Sequence, residues 1–110
     1  MNTLNWNAWG KDHPITFRRD KYAANGNLYV GMMTWEDGYP EPWSDLTVNL
    51  DVKCDENCAF IDVNNNGDHI VDWRIANKLA VLTGNVRQSG FCAYPEMKFD
   101  LVELIKYIHY

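Results

Sequence analysis

The chain is 110 residues long with a mass of 12.8 kDa, enough for one hydrophobic core and too short for two. At 46% hydrophobic, with five Trp, six Tyr and four Phe, it carries too many large apolar groups to stay disordered, and no apolar run approaches the roughly 20 residues that span a bilayer. The net charge of −5 is unevenly placed: Glu36 to Asp72 holds ten acids against one base, Lys53, a local balance of −9 that leaves +4 elsewhere. Such an asymmetry argues against a basic nucleic-acid-binding stripe and reads either as an electrostatic partner surface or as a solvated loop face.

The opening residues, MNTLNWNAWGKDHP, lack the apolar segment of a secretory signal. A cytoplasmic protein is expected, without a membrane segment, and three cysteines, an odd number, suggest no disulfide framework. The whole of 1–110 reads as a single domain preceded by a Trp-containing segment, 1–14.

ITFRRDKY, Ile15 to Tyr22, reads as the first strand, and ANGN supplies the turn that follows, because Asn-Gly accepts the positive φ of a hairpin. LYVGMMTW, Leu28 to Trp35, is apolar on both faces and reads as a central strand. EDGYPEPW then combines Asp-Gly with two prolines, a loop that cannot continue a ladder. LTVNLDV alternates, with Leu46, Val48, Leu50 and Val52 inward and Thr47, Asn49 and Asp51 outward, the pattern of a half-buried strand. KCDENC turns the chain into AFIDV, Ala59 to Val63, a fourth strand.

The period then changes. Val71, Ile75, Leu79 and Leu82 recur at helical spacing, with Gly84 placed as the C-terminal stop. Gly90 to Phe99 reads as a last strand that Pro95 pushes to a sheet edge. DLVELIKYIHY opens with Asp100 and Glu103 at capping-box spacing and carries the stripe Leu101, Leu104, Ile105 and Ile108. The expected fold is α+β: an antiparallel sheet of about five strands with two helices packed on one face.

DVNNNGD, Asp62 to Asp68, imitates the first half of a calcium loop, with oxygen ligands at alternate positions and a glycine at the sixth. The twelfth position, where a bidentate Glu belongs, is Trp73, and a strand rather than a helix precedes the loop. A turn explains the stretch without an ion: Asn and Asp tolerate left-handed geometry, Gly67 reverses the chain, and Asp68 caps the next helix. Cys54 and Cys58 stand at C-x₃-C spacing, but His13, His69 and His109 form no compact pair to complete a zinc site. Cys92, between Phe91 and Ala93, reads as a small packing group, with a thiol nucleophile beside His69 or His109 as the competing role. No catalytic residue, metal or cofactor is assigned.

The candidate site is a partner surface built from Glu36, Asp37, Tyr39, Glu41, Trp43, Asp45, Asp55 and Glu56. Carboxylates in loops steer a basic partner, and loop Trp and Tyr bury large area at small entropy cost. Trp6, Trp9, Tyr39 and Trp43 serve either as such anchors or as cover for an open sheet face.

YAANGNLYV, LTVNL with AFIDVNNN downstream, and LTGNVRQSGFCAYPEMKFD together resemble a family of small proteins of unknown function carried by phages and conjugative elements of gut bacteria. In that family a TVNL strand, an FxDxNN turn, a TG step and an SGFC-x-YP-x-x-x-F strand recur in order, here over about residues 22–101. The resemblance brings no catalytic residues with it. It implies cargo of a mobile element, and small acidic proteins of such elements often block host defence nucleases, as anti-CRISPR proteins do. The expected function is therefore non-enzymatic: binding and inhibition, through an acidic surface, of a host defence protein or ribonucleoprotein complex with a basic surface. A small-molecule- or metal-binding accessory protein of phage or conjugative-element biology is the alternative, with the sheet face as its pocket.

Overall fold

The computed structural model describes the whole chain except Met1, Trp9, Asp37, Asp68, His109, Tyr110 and the side chain of Ala8. Two four-stranded antiparallel sheets take the place of the expected single sheet with two helices, so the fold is mostly β and not α+β, with 50% of residues in strands and 18% in helices. The first sheet is a meander of β1 (Leu4–Ala8), β2 (Lys11–Lys21), β3 (Leu28–Thr34) and β4 (Glu41–Asp45) in chain order. The Asn-Gly turn joins β2 to β3, with Gly26 at φ 74° and Tyr22 N–H donating to the Asn27 carbonyl at 2.9 Å.

Two pieces of this sheet contradict the pattern read from sequence. Residues 4–8 of the Trp-containing segment are a strand, pairing Trp6 with His13. The proline loop also yields a strand, because β4 lies at the sheet edge, where missing N–H groups cost little. Pro42 faces Met33 at a register shift between Met32 and Met33.

The second sheet runs β5 (Thr47–Val48), β6 (Cys58–Ile61), β8 (Cys92–Phe99), β7 (Ala80–Ser89) across its width. Of the expected strand Leu46 to Val52 only two residues pair, and Thr47 points inward at 2% exposure. Its Oγ1 accepts from Val30 N–H at 3.2 Å and bonds the Tyr22 hydroxyl at 2.9 Å, which stitches the two sheets together. Hydrogen bonding here overrides alternation.

The long helix expected from Val71 to Gly84 stops early. α2 covers His69–Ala76, Lys78 takes φ 61°, and Leu79 N–H closes on the Arg74 carbonyl at 3.1 Å. Leu82 belongs instead to β7 and pairs with Met97. Between Leu82↔Met97 and Val86↔Pro95, β7 advances four residues while β8 advances two, a bulge that contains Gly84 at φ 94°. Gly84 therefore serves a strand bulge and no helix end. Pro95 is not at an edge: β8 lies between β6 and β7, and β6 stops pairing at Glu96, one residue short of the proline.

The short α1 (Val63–Asn66) is capped by Asp62, and α3 (Leu101–Leu104) is capped by Asp100, which accepts from Val102 and Glu103 N–H at 3.0 and 3.3 Å. α3 runs into a 3₁₀ turn (Ile105–Tyr107), and Ile108 then bridges Phe17 in parallel. Leu104 from the expected stripe is buried, whereas Ile105 is exposed. The core joins Ile15, Phe17, Val30 and Met32 of the first sheet to Ile61, Met97 and Phe99 of the second, with Ile70, Leu79 and Leu104 closing it. Burial of each such side chain contributes roughly 1.5–3 kcal/mol.

Candidate functional site

The acidic residues of the expected partner surface are divided by the sheet they sit on. Glu41 pairs with Thr34 at one end of β3, whereas Asp55 and Glu56 line a recess of about 660 Å³ beside Leu28 at the other. A seven-residue strand separates these ends by roughly 20 Å. Asp55 and Glu56 also share that recess with Arg19, Lys21 and Lys53, so the charge there is mixed.

Each remaining member has its own surroundings. Glu36 is engaged: its carboxylate meets the His13 ring and stands 3.9 Å from Lys11 Nζ. Asp45 accepts from the Tyr29 hydroxyl at 2.7 Å. Burial, helped by that hydrogen bond, pushes the Tyr29 phenol up to about 12. Gly31 makes the pair possible, since a Cβ there would collide with the Tyr29 ring. Tyr39 is exposed, Trp43 is half-buried with its ring 4.5 Å from that of His13, and Asp37 lies outside the described residues, as does Trp9. Among the described residues Glu41, Asp51, Asp55, Glu56 and Asp72 make no ion pair.

The sequence reading missed an exposed apolar surface on the second sheet. Nine of the ten residues of β7 are exposed, and β7 forms the outer edge of its sheet. Val81, Leu82 and Val86 project from it, and Phe91 stands fully exposed at the tip of the β7–β8 hairpin. The helical spacing of Val71, Ile75, Leu79 and Leu82 disguised this strand. Only the GFC that follows Ser89, an aromatic directly after a turn glycine, hints at an exposed tip.

Inside the hairpin, Glu96 is 7% exposed and accepts from Thr83 Oγ1 at 2.7 Å and from Asn85 Nδ2 at 3.0 Å. Burial pushes its carboxyl up, but these bonds and one from Cys54 outweigh burial and hold it below its ordinary value. Burial, helped by the same contact, pushes the Cys54 thiol up to about 11. Cys54, Cys58, Phe60, Tyr94 and Leu50 form a small second core, against which Cys92 packs, and all three thiols are unpaired.

The asparagine stretch is a capped helical turn. Both Asp62 carboxylate oxygens are occupied, by Asn65 N–H at 3.2 Å and Asn65 Nδ2 at 2.7 Å. Asp68, read as the cap of the next helix, lies outside the described residues, as does His109. His69 stacks on Trp6 with centroids 4.8 Å apart and an interplanar angle of 10°, while Cys92 packs on the second core, so these two have different neighbours. Among the described residues no three His, Cys, Asp or Glu side chains group as metal ligands, and no helix is long and apolar enough to cross a membrane.

No curated protein and no solved structure matches the chain. A family description does match, over residues 16–109, a span that takes in the strands from β3 onward, the asparagine turn and the exposed hairpin but leaves out Trp6 and Asn7. The chain belongs to the family described as domain of unknown function DUF4313.

Proposed function

We propose that the protein is a non-enzymatic binding protein that docks on a protein or ribonucleoprotein complex and inhibits it, with the β7–β8 hairpin as its anchor. The exposed apolar edge carries this reading: Val81, Leu82, Val86 and Phe91 stand in water on one hairpin. A long edge strand that displays apolar groups is an aggregation hazard unless something covers it. Strand addition along β7, with Phe91 entering a pocket, satisfies the open backbone groups and buries the ring. The net charge of −5 sets a diffuse negative field, to which Glu41, Asp51, Asp55 and Glu56 contribute from separate places outside any ion pair among the described residues, and a basic, nucleic-acid-handling surface is the complement that such a field selects. A host defence complex fits that description, and blocking it is work suited to mobile-element cargo.

The test is a comparison of immobilised wild type with Phe91→Ala and Val86→Asp as bait for bacterial lysate, read by quantitative mass spectrometry. The reading requires a defined complex that wild type retains and both variants release. Equal capture by all three would contradict it.

A further inference from the structure

The outer edge of β7 has two unlike faces, and its pairing with β8 sorts them. Residues opposite each other in an antiparallel pair point to the same side of the sheet. Ala80, Leu82 and Val86 stand opposite Phe99, Met97 and Pro95, which alternate along β8 and so share one face. Val81 and Arg87 stand opposite Lys98 and Tyr94, on the other face. The first face is apolar at the edge, where Leu82 and Val86 are exposed. Near its start lies a recess of about 490 Å³, lined by Ile75 of α2 together with Ala80 and Phe99.

The second face is basic. Arg87 and Lys98 are exposed and outside any ion pair among the described residues. Their places on that face lie roughly 13 Å apart, the rise of four residues of β8. Glu96 shares the face, but it is buried and occupied by Thr83 and Asn85. Asp100, at the rim of the recess, is committed through Oδ1 to the cap of α3. The bulge between Leu82 and Val86 splits the edge, so Ala80–Leu82 and Val86–Ser89 are the segments free to pair outward. The acids that set the net charge are concentrated between Glu36 and Asp72 and act at a distance, whereas contact at β7 selects the opposite sign.

We propose that the strand β7 receives from its partner alternates aliphatic and acidic side chains. The aliphatic ones lie on the side of Leu82 and Val86, the first of them reaching the recess, and the carboxylates lie on the side of Arg87 and Lys98. Alternation follows from strand addition itself, in which main-chain bonds hold the segment and every second side chain meets the same face. This selection rests on the docking mode proposed above and narrows it to one class of segment.

Amide NMR on the full chain tests the selection with two acetylated and amidated peptides at millimolar concentration, EVELEVE and its lysine counterpart KVKLKVK. EVELEVE should shift the amides of β7 and bind about tenfold more tightly than KVKLKVK. Joint reversal of two exposed charges, Arg87→Glu with Lys98→Glu, should invert that order, and Leu82→Asp should weaken both peptides. Equal affinity of the two peptides overturns the acidic selection while leaving strand addition in place. Absence of β7 shifts with either peptide, an order that survives the double reversal, or unchanged binding in Leu82→Asp also overturns it. Docking itself is read separately, by capture of a complex from lysate on wild type against Phe91→Ala.

Discussion

Asn85 Nδ2 donates to Glu96 Oε1 at 3.0 Å across the bulge between β7 and β8. The two extra residues of β7 thus do more than accommodate Gly84: they bring the Asn85 amide and the Thr83 hydroxyl onto one buried carboxylate and give the hairpin a fixed shape.

Because Glu96 titrates lower when folded than when unfolded, its charge contributes stability above the ordinary carboxylate range, about 4.3, and that contribution is lost as pH falls through the lower folded value. In Glu96→Gln the melting temperature should depend less on pH below about 5 than in wild type. Glu96→Leu should cost about 1 kcal/mol at neutral pH through loss of the hydrogen bonds from Thr83 and Asn85, whose exposed donors turn to water. Thermal melts across an acid pH series check both.

Arg74 is fully buried, and among the described residues none of its Nε, Nη1 and Nη2 atoms has a hydrogen-bond partner. Its guanidinium lies 5.4 Å from the centroid of the Phe99 ring and 5.9 Å from that of Trp73, and burial pulls its pKa well below the ordinary arginine value. Cation–π attraction of about 2 kcal/mol does not offset desolvation of a whole charge. Arg74→Met keeps the apolar stem and should raise unfolding stability by about 1–4 kcal/mol in denaturant titrations. A loss of stability would mean that the charge is compensated in solution.

With both Asp62 oxygens committed to Asn65, millimolar calcium should leave the melting temperature unchanged. A site saturated a hundredfold above its dissociation constant would add about 2.7 kcal/mol, which a melt resolves readily. An EDTA-reversible upward shift would disprove the capped-turn account. Asp62→Ala should instead cost about 1 kcal/mol through loss of the cap.

The thiol of Cys54, pushed up to about 11 and 6% exposed, should react slowly with a neutral disulfide reagent at pH 8, because under a hundredth of it is thiolate there. Cys54→Ser should leave the fast phase of thiol labelling untouched. Loss of that phase would place the reactive thiol at Cys54.

What the sequence disclosed follows the range of the interactions involved. The Asn-Gly turn at Gly26, the Leu28 strand and the Asp100 cap are local, set by residues a few positions apart, and each is legible. The fate of residues 77–89 depends on pairing with β8, and a coincidence of four apolar residues at helical spacing outweighed the scattered β-branched Val81, Thr83 and Val86. Trp6 could not be placed from sequence because its partner His69 lies 63 positions away. The acidic excess was legible as a number but not as a surface: β3 separates Glu41 from Asp55 and Glu56, and His13 and Lys11 take up Glu36. Phe91 was read only as a flank of Cys92, since nothing local shows that a hairpin tip has no cover.

Salt-dependent capture tests the central claim most directly. The triple reversal Glu41→Lys, Asp55→Lys, Glu56→Lys changes exposed side chains outside any ion pair and should leave the fold intact. On a complex captured by wild type, binding should weaken as salt rises, mainly through slower association, and added nucleic acid should displace the protein. The triple variant should associate more slowly at low salt and converge with wild type at high salt, whereas Phe91→Ala should mainly speed dissociation. If the triple variant binds that complex as fast and as tightly as wild type at every salt concentration, the acidic side chains do not steer docking, and the proposed target is wrong.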